Sequence, residues 1–372
     1  MSLFLSAFIV GESFLLCFLL YFYPLKQNEK ANRWLSVFVF IIGTAFVGNY
    51  LETNASYFYI IKIINSLQFL LPTSLYISIL YFVNPTSGFK IRYWLHFLPF
   101  AIYTFFENIV FISEKSIATR TIFEVGDFSF FVRDLLPFLV LGYTLASYLV
   151  LKKHAENLRL ITAATQNTDL KWIRRFLLFL LLPIVFWIND ALSISAVLVK
   201  LNEFIYAGSI FFLGYNAMRQ GVIFPFKNED LAEISEVIEI SSDEIPKDKN
   251  KPRLSDEQIL KLSVELNKLM EIEKIFLENE IDLPTVAKKL GISIHDASYL
   301  INKVSGDNFY NFINRHRVEE AKKLLRSGKT EKLNMLGIAF ESGFNSKTAF
   351  NTAFKKYVGI SPSEYVKSQE NR

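Results

Sequence analysis

Two short stretches place hydrogen-bonding side chains at helical spacing behind the same small-residue punctuation. In residues 283–304, LPTVAKKLGISIHDASYLINKV, Ala287 and Gly291 stand four apart; in residues 333–357, LNMLGIAFESGFNSKTAFNTAFKKY, Ala339 and Gly343 repeat that spacing. Two helices crossing steeply need a small residue where they touch and a residue tolerant of positive φ in the turn. Beyond each turn, a second helix exposes polar groups: His295, Asp296, Ser298, Tyr299, Asn302 and Lys303, then Ser346, Lys347, Thr348, Asn351, Thr352 and Lys355. Side chains of this kind hydrogen-bond base edges and phosphate oxygens. The competing reading of each position is a solvated helix face. One such match is weak, but this one occurs twice.

The elements that must position these residues are helices. Val286, Leu290, Ile292, Ala297 and Leu300 pack the first unit, and Phe344, Ala349 and Phe350 the second. Between them the spacing predicts one helix over 309–326, with Phe312, Ile313, Val318, Ala321, Leu324 and Leu325 buried. Its length of roughly 27 Å is close to the ~34 Å between successive major-groove faces on one side of DNA. Upstream, Ser255 and Gln258 form a capping-box pattern, followed by Ile259, Leu262, Leu266, Leu269 and Met270 at helical spacing. From residue 283 to the end there are 15 Lys and Arg against 8 Asp and Glu, a balance suited to phosphate.

Residues 258–367 resemble the DNA-binding domain of AraC-type transcriptional regulators. The resemblance rests on DLPTVAKKLGIS, FYNFINRHRVEEAKKLL, GIAFESGF and the closing FKKYVGISPSEYV, with Gly359, Ser361, Pro362 and Tyr365. It implies two helix-turn-helix units that read successive major-groove segments of double-stranded promoter DNA, usually to activate transcription with RNA polymerase. By position, the implied contacts are His295, Ser298, Tyr299 and Asn302 in the first unit. In the second they are Lys347, Thr348, Asn351, Thr352 and Lys355. Family members often carry Arg or Gln where Tyr299 and Thr352 stand. Neither recognition helix holds an Arg for bidentate guanine readout, so DNA shape carries more of the specificity.

The other half of the 372-residue chain is written for a different solvent. The sequence is 51% hydrophobic and 16% aromatic, and its 37 Phe concentrate in the first half. Windows of mostly apolar residues at 2–23, 34–51, 57–83, 93–113, 129–151, 176–199 and 203–224 predict about seven membrane spans. The fold class expected is therefore all-α, a polytopic transmembrane helical bundle followed by a soluble all-helical domain with two helix-turn-helix units. The first window has no basic leader or cleavage site and reads as a retained helix. Connecting segments after the first, third and fifth windows carry Lys26, Lys30, Arg33, Lys90, Arg92, Lys152, Lys153, Arg159, Lys171, Arg174 and Arg175. Those after the second, fourth and sixth carry only Lys115, Arg120 and Lys200. This places the N-terminus outside and the C-terminus in the cytoplasm, in the inner membrane.

Ionisable groups inside spans need a reason to be there. Glu12, Lys62, Glu107, Arg133, Asp134 and Asp190 all fall toward the outer side, and together they define an expected sensor pocket for a small-molecule or membrane signal. The competing reading is pairing between helices, with Lys62 and Arg133 reaching the interface.

Three domains result: a sensor bundle over 1–224, an acidic linker over 225–253 and the DNA-binding domain over 254–372. The linker is expected to tether the last domain without fixing its orientation. Cys17 stands alone, and His96, His154, His295 and His316 are scattered, so no metal site, cofactor or enzyme activity is expected. The reading is a membrane-bound one-component regulator, possible as a homodimer on paired half-sites. The alternative is a transporter with a regulatory appendage, against which the sequence offers no inverted repeat and no matching pair of broken helices.

Overall fold

In the computed structural model the described residues are 3–22, 28–51, 54–85, 88–115, 125–164, 170–191, 196–221, 233–234, 237, 253–327 and 333–370. Side chains are described for all of these except 3, 55, 107–115, 125–134, 187–191, 196–200 and 370. They form an all-helical protein with a single isolated β-bridge. The chain divides into two compact units, Met1–Lys153 with Leu170–Ile223, and His154–Asp169 with Phe224–Arg372.

The first unit contains α1 (Leu3–Tyr21), α2 (Glu29–Leu51), α3 (Phe58–Gln68), α4 (Leu71–Val83), α5 (Leu98–Lys115) and most of α6 (Val125–Ile161). It continues with α7 (Lys171–Phe179), α8 (Leu182–Ala191) and α9 (Ala196–Arg219). Large apolar side chains point away from its core: Phe4, Phe18, Phe138, Leu145 and Phe211 are all more than half exposed. A water-facing surface rarely gathers so many. Inside, the Ser78 hydroxyl donates to the Ala31 carbonyl at 2.8 Å, and Phe38 meets Phe176 edge-on at 6.0 Å.

Three helices, not seven, are long and apolar enough to cross a membrane among the described residues: Phe4–Tyr21, Glu29–Leu51 and Leu135–Ile161. A bent pair, α3 with α4 at 40°, makes a fourth if counted as one span. The window at 176–199 holds α7 and α8, whose described parts do not pass either. Those at 93–113 and 203–224 hold α5 and α9, whose described parts do not combine the required length and apolarity. The breaks have one cause. Proline clashes with the carbonyl four residues before it and lacks an N–H to donate. Pro72 lies four residues after Gln68, where α3 ends, and Pro183 lies four after Phe179, where α7 ends.

The second unit is built on α10 (Asp256–Glu271), α11 (Leu283–Leu290), α12 (Ile294–Ser305), α13 (Phe309–Arg326), α14 (Met335–Glu341), α15 (Lys347–Val358) and α16 (Pro362–Glu370). The Ser255–Gln258 capping box opens α10. Helix α13 spans the predicted 309–326 and serves two cores. Phe309, Phe312 and Ile313 bury in one with α10, α11 and α12. Val318, Ala321, Leu324 and Leu325 bury in the other with α14, α15 and Tyr365.

Arg317 lies at the changeover and is 1% exposed. Its Nε donates to the Phe276 carbonyl at 2.7 Å, and Nη2 to those of Glu278 and Asn279 at 2.7 and 3.4 Å. Gly343 comes down on the same segment. A Cβ there would lie 2.6 Å from the Phe276 carbonyl oxygen and 2.8 Å from the Leu277 Cα, at φ +86°.

Within 225–253 the described Ile234 and Val237 are buried in the first core, as are Ile161 and Ala163. Two apolar residues three apart lie on one face of a helix, so these two positions pack against the domain.

Gly343→Ala is expected to cost about 2–4 kcal/mol, combining left-handed strain with overpacking. Gly359 has a similar φ of +88° and open space around it, so Gly359→Ala should cost only about 1–2 kcal/mol. Pulse proteolysis of the full-length protein in urea, read on the C-terminal domain, measures the difference.

Candidate nucleic-acid interface

Each helix-turn-helix unit is set by caps that the local sequence supplies. Asp282 begins α11 by accepting from the Thr285 N–H at 2.8 Å, and Gly291 ends it at φ +68°. Ala287 is buried where α11 meets α12. Ser293 opens α12 by accepting from the Asp296 N–H at 3.1 Å. In the second unit Asn334 accepts from Gly337 at 2.9 Å and Ser346 from Ala349 at 3.1 Å, with Ala339 fully buried between. A short polar side chain at the N-cap satisfies an orphan helix N–H and fixes where each recognition helix starts.

The two recognition helices differ in what they present. On α15, Lys347, Thr348, Asn351, Thr352 and Lys355 are all exposed on one face, while Phe350, Ala353 and Phe354 bury on the other. The sequence placed these five residues together, and so does the structure. On α12, His295, Ser298, Tyr299 and Asn302 also share a face, but only Asn302 is fully exposed. Tyr299 packs partly on the first core, and both ring nitrogens of His295 are buried without a hydrogen-bond partner.

Segments from outside 254–372 hold the first unit. The Glu233 carboxylate accepts from the Ile294 N–H at 2.9 Å, at the start of α12. Thr162 forms an antiparallel bridge with Asp282, and the Ala163 N–H donates to the Ile281 carbonyl at 3.3 Å. The Arg159 guanidinium stands 5.7 Å from the Tyr310 ring. Sequence reading passed over Glu233, Thr162 and Arg317. The first two act through contacts far apart in the chain, and Arg317 is one of two arginines flanking His316. Two clues were present: an Ile-Val pair three apart in an acidic linker, and an Arg on the apolar side of the connector.

Of the expected sensor-pocket residues, Glu107, Arg133, Asp134 and Asp190 lie outside the described side chains. Glu12 is half-buried in α1 with one carboxylate oxygen unpartnered, and Lys62 is half-buried in α3. The structure does not bring these two into one cavity: neither lines the large cavity of the first unit.

Comparison with known proteins concerns the C-terminal part. A family model described as a helix-turn-helix domain matches residues 286–368. The chain is 34% identical over 89 residues to the HTH-type transcriptional activator AarP of Providencia stuartii, covering 24% of this chain and 64% of AarP. It is 33% identical over 87 residues to the HTH-type transcriptional activator RhaS of Mannheimia succiniciproducens, covering 23% and 31%. A third relative, an uncharacterized HTH-type transcriptional regulator in the cgkA 5' region of Pseudoalteromonas carrageenovora, is 33% identical over 106 residues, covering 27% and 58%. The chain thus spans less than two thirds of each of these relatives, and no solved structure matches it. These relatives are described as HTH-type transcriptional regulators, and residues 286–368 of this chain match a helix-turn-helix domain.

Proposed function

We propose that the chain is a membrane-bound one-component transcriptional regulator. In this reading, helices of the first unit lie in the inner membrane with the N-terminus outside. The helix-turn-helix domain binds promoter DNA in the cytoplasm, and RNA polymerase and a second copy of the chain join it there. The carrying observation is the face of α15: five exposed hydrogen-bonding side chains, two of them lysines, on a helix whose opposite face is fully packed. The same chain carries helices of spanning length with apolar side chains facing outward.

The route for a signal is α6. It contains a spanning stretch, and its last residue, Ile161, is buried in the core that holds α11 and α12. A displacement at its end reaches the first recognition helix through Ala163, Ile281 and Asp282. A transporter reading gains one point from the structure, since α3/α4 and α7/α8 are both broken helices of a kind that lines substrate paths. Substrate uptake by the reconstituted bundle would favour it.

Random-sequence DNA retained by the full-length protein in nanodiscs should be enriched in two blocks about one helical turn apart. Simultaneous Tyr299→Ala, Asn302→Ala, Lys347→Ala and Asn351→Ala should abolish the enrichment; no enrichment at low salt overturns the reading. Lys347→Ala alone should weaken binding to all sequences and reduce the salt slope by about 1. Ala163→Pro removes the donor to Ile281. It is expected to leave DNA affinity unchanged while altering the output of a promoter fusion in cells, and an unaltered output would dismiss α6 as the route.

A further inference from the structure

Helix α10 carries two apolar stripes and buries only one. Ile259, Leu262, Leu266, Leu269 and Met270 turn toward the first core. Leu260 and Val264, one turn apart, are 69% and 65% exposed. At 3.6 residues per turn the second stripe lies roughly 150° around the helix from the first, so the domain's own core cannot take in both. A surface helix of a soluble domain needs one apolar stripe and a polar opposite face, and here the opposite face is apolar at its centre.

The charges around the outer stripe select what covers it. Helix α10 holds Asp256, Glu257, Glu265 and Glu271 against Lys261 and Lys268, an acidic balance that repels the phosphates of DNA or of an anionic bilayer. Glu257 and Lys268 flank the stripe near its two ends and on the same side of it. Both are exposed, and neither forms an ion pair among the described residues. Two copies of the helix set antiparallel, about a two-fold axis midway between Leu260 and Val264, bring Leu260 of each against Val264 of the other. The same arrangement brings Glu257 of each against Lys268 of the other. A parallel pair would set Glu257 on Glu257 and Lys268 on Lys268. Opposite charges along a helical seam fix orientation and partner in this way.

Resting on the reading in which a second copy of the chain joins the regulator, we infer that the outer face of α10 is the surface on which the two copies meet, antiparallel, through Leu260 and Val264. Sixteen residues of helix present less surface than a stable solution dimer buries, so the pairing relies on copies gathered in one membrane. The same patch on both copies makes the contact a closed two-fold one, with no open edge for a third.

The test uses the full-length protein in cell membranes, in a Cys17→Ser background that removes the one native thiol. Copies bearing Glu257→Cys and copies bearing Lys268→Cys, with different tags, are co-expressed and oxidised with copper phenanthroline. Disulfides should form about ten-fold more readily between unlike copies than between like ones. Equal crosslinking of like copies, or no disulfide between copies whether or not another protein is captured, would overturn the pairing. Leu260→Asp should lower the unlike crosslink about ten-fold while pulse proteolysis of the C-terminal domain stays unchanged; an undiminished crosslink would overturn the role of the stripe. Energy transfer between copies carrying C-terminal fluorescent tags gives an independent reading. It should fall with Glu257→Lys and recover when Lys268→Glu is added, since the two residues stand about 16 Å apart along one helix and meet only across copies. Failure to recover would overturn the antiparallel register. Pairing that Leu260→Asp breaks without altering promoter output would uphold the surface while overturning the reading of a regulator that works as a dimer.

Discussion

The DNA-binding domain turns on one buried guanidinium. Arg317 sits where α13 leaves one core and enters the other, and it meets no carboxylate among the described residues. It is surrounded instead by the carbonyls of Phe276, Glu278 and Asn279 and by the Phe344 ring at 5.7 Å. Burial lowers its pKa to about 10, so it still carries its charge at neutral pH. The carbonyl dipoles are what offset the desolvation, and a planar fork of donors can engage several of them where a lysine offers a point charge. This fixes the segment 276–279, part of the first core, against the helix that begins the second. Gly343 must be a glycine for the same reason, since the turn of the second unit descends onto the carbonyl that Arg317 holds. The spacing of the two recognition helices follows from this seam and from the stiffness of α13.

What was legible in the sequence was what the backbone demands locally. An αL turn needs glycine, a steep crossing needs alanine, and a helix start needs a short polar cap; these requirements identified both helix-turn-helix units and the connector between its observed ends. Arg317 was illegible because its type and local surroundings match those of Arg315, two residues earlier. Two positions correspond to about 200° around a helix. That rotation sends Arg315 to the surface, where it pairs with Asp307, and Arg317 into the seam. Only the partner segment, some forty residues away in the chain, distinguishes them.

In the first unit, apolar windows found the helices but overstated their continuity. Pro72 falls inside a window that reads as one span, yet it and Pro183 each end a helix four residues upstream. The acids were sorted by type and depth, which drew attention to Glu12, Glu107 and Asp190. Glu203, buried in α9, carries the same signature as the last two, a carboxylate beside an asparagine in an apolar helix. It was missed because it stands in the first turn of its window, where a charge reads as an interface residue. Depth along a helix can be estimated from sequence, but the direction a residue faces depends on neighbours that composition does not name. The packing of Ile234 and Val237 was hidden in the same way by the acidic run around them.

The two helix-turn-helix units are built alike and held differently. Both helices of the first begin at residues tied to segments outside the domain: α11 at Asp282, bridged to Thr162, and α12 at Ile294, whose N–H is taken by Glu233. Among the described residues no such tie reaches α14 or α15, which start on caps of their own sequence. The unit with fully exposed polar groups is the one without outside support, and the unit with partly covered ones is supported at both helix starts. A carboxylate at the N-terminus of α12 also occupies a position that favours phosphate, since the helix dipole and free N–H groups attract either anion. The first recognition helix is therefore fixed both by its own cap and by Glu233, and the second, among the described residues, by its own cap alone.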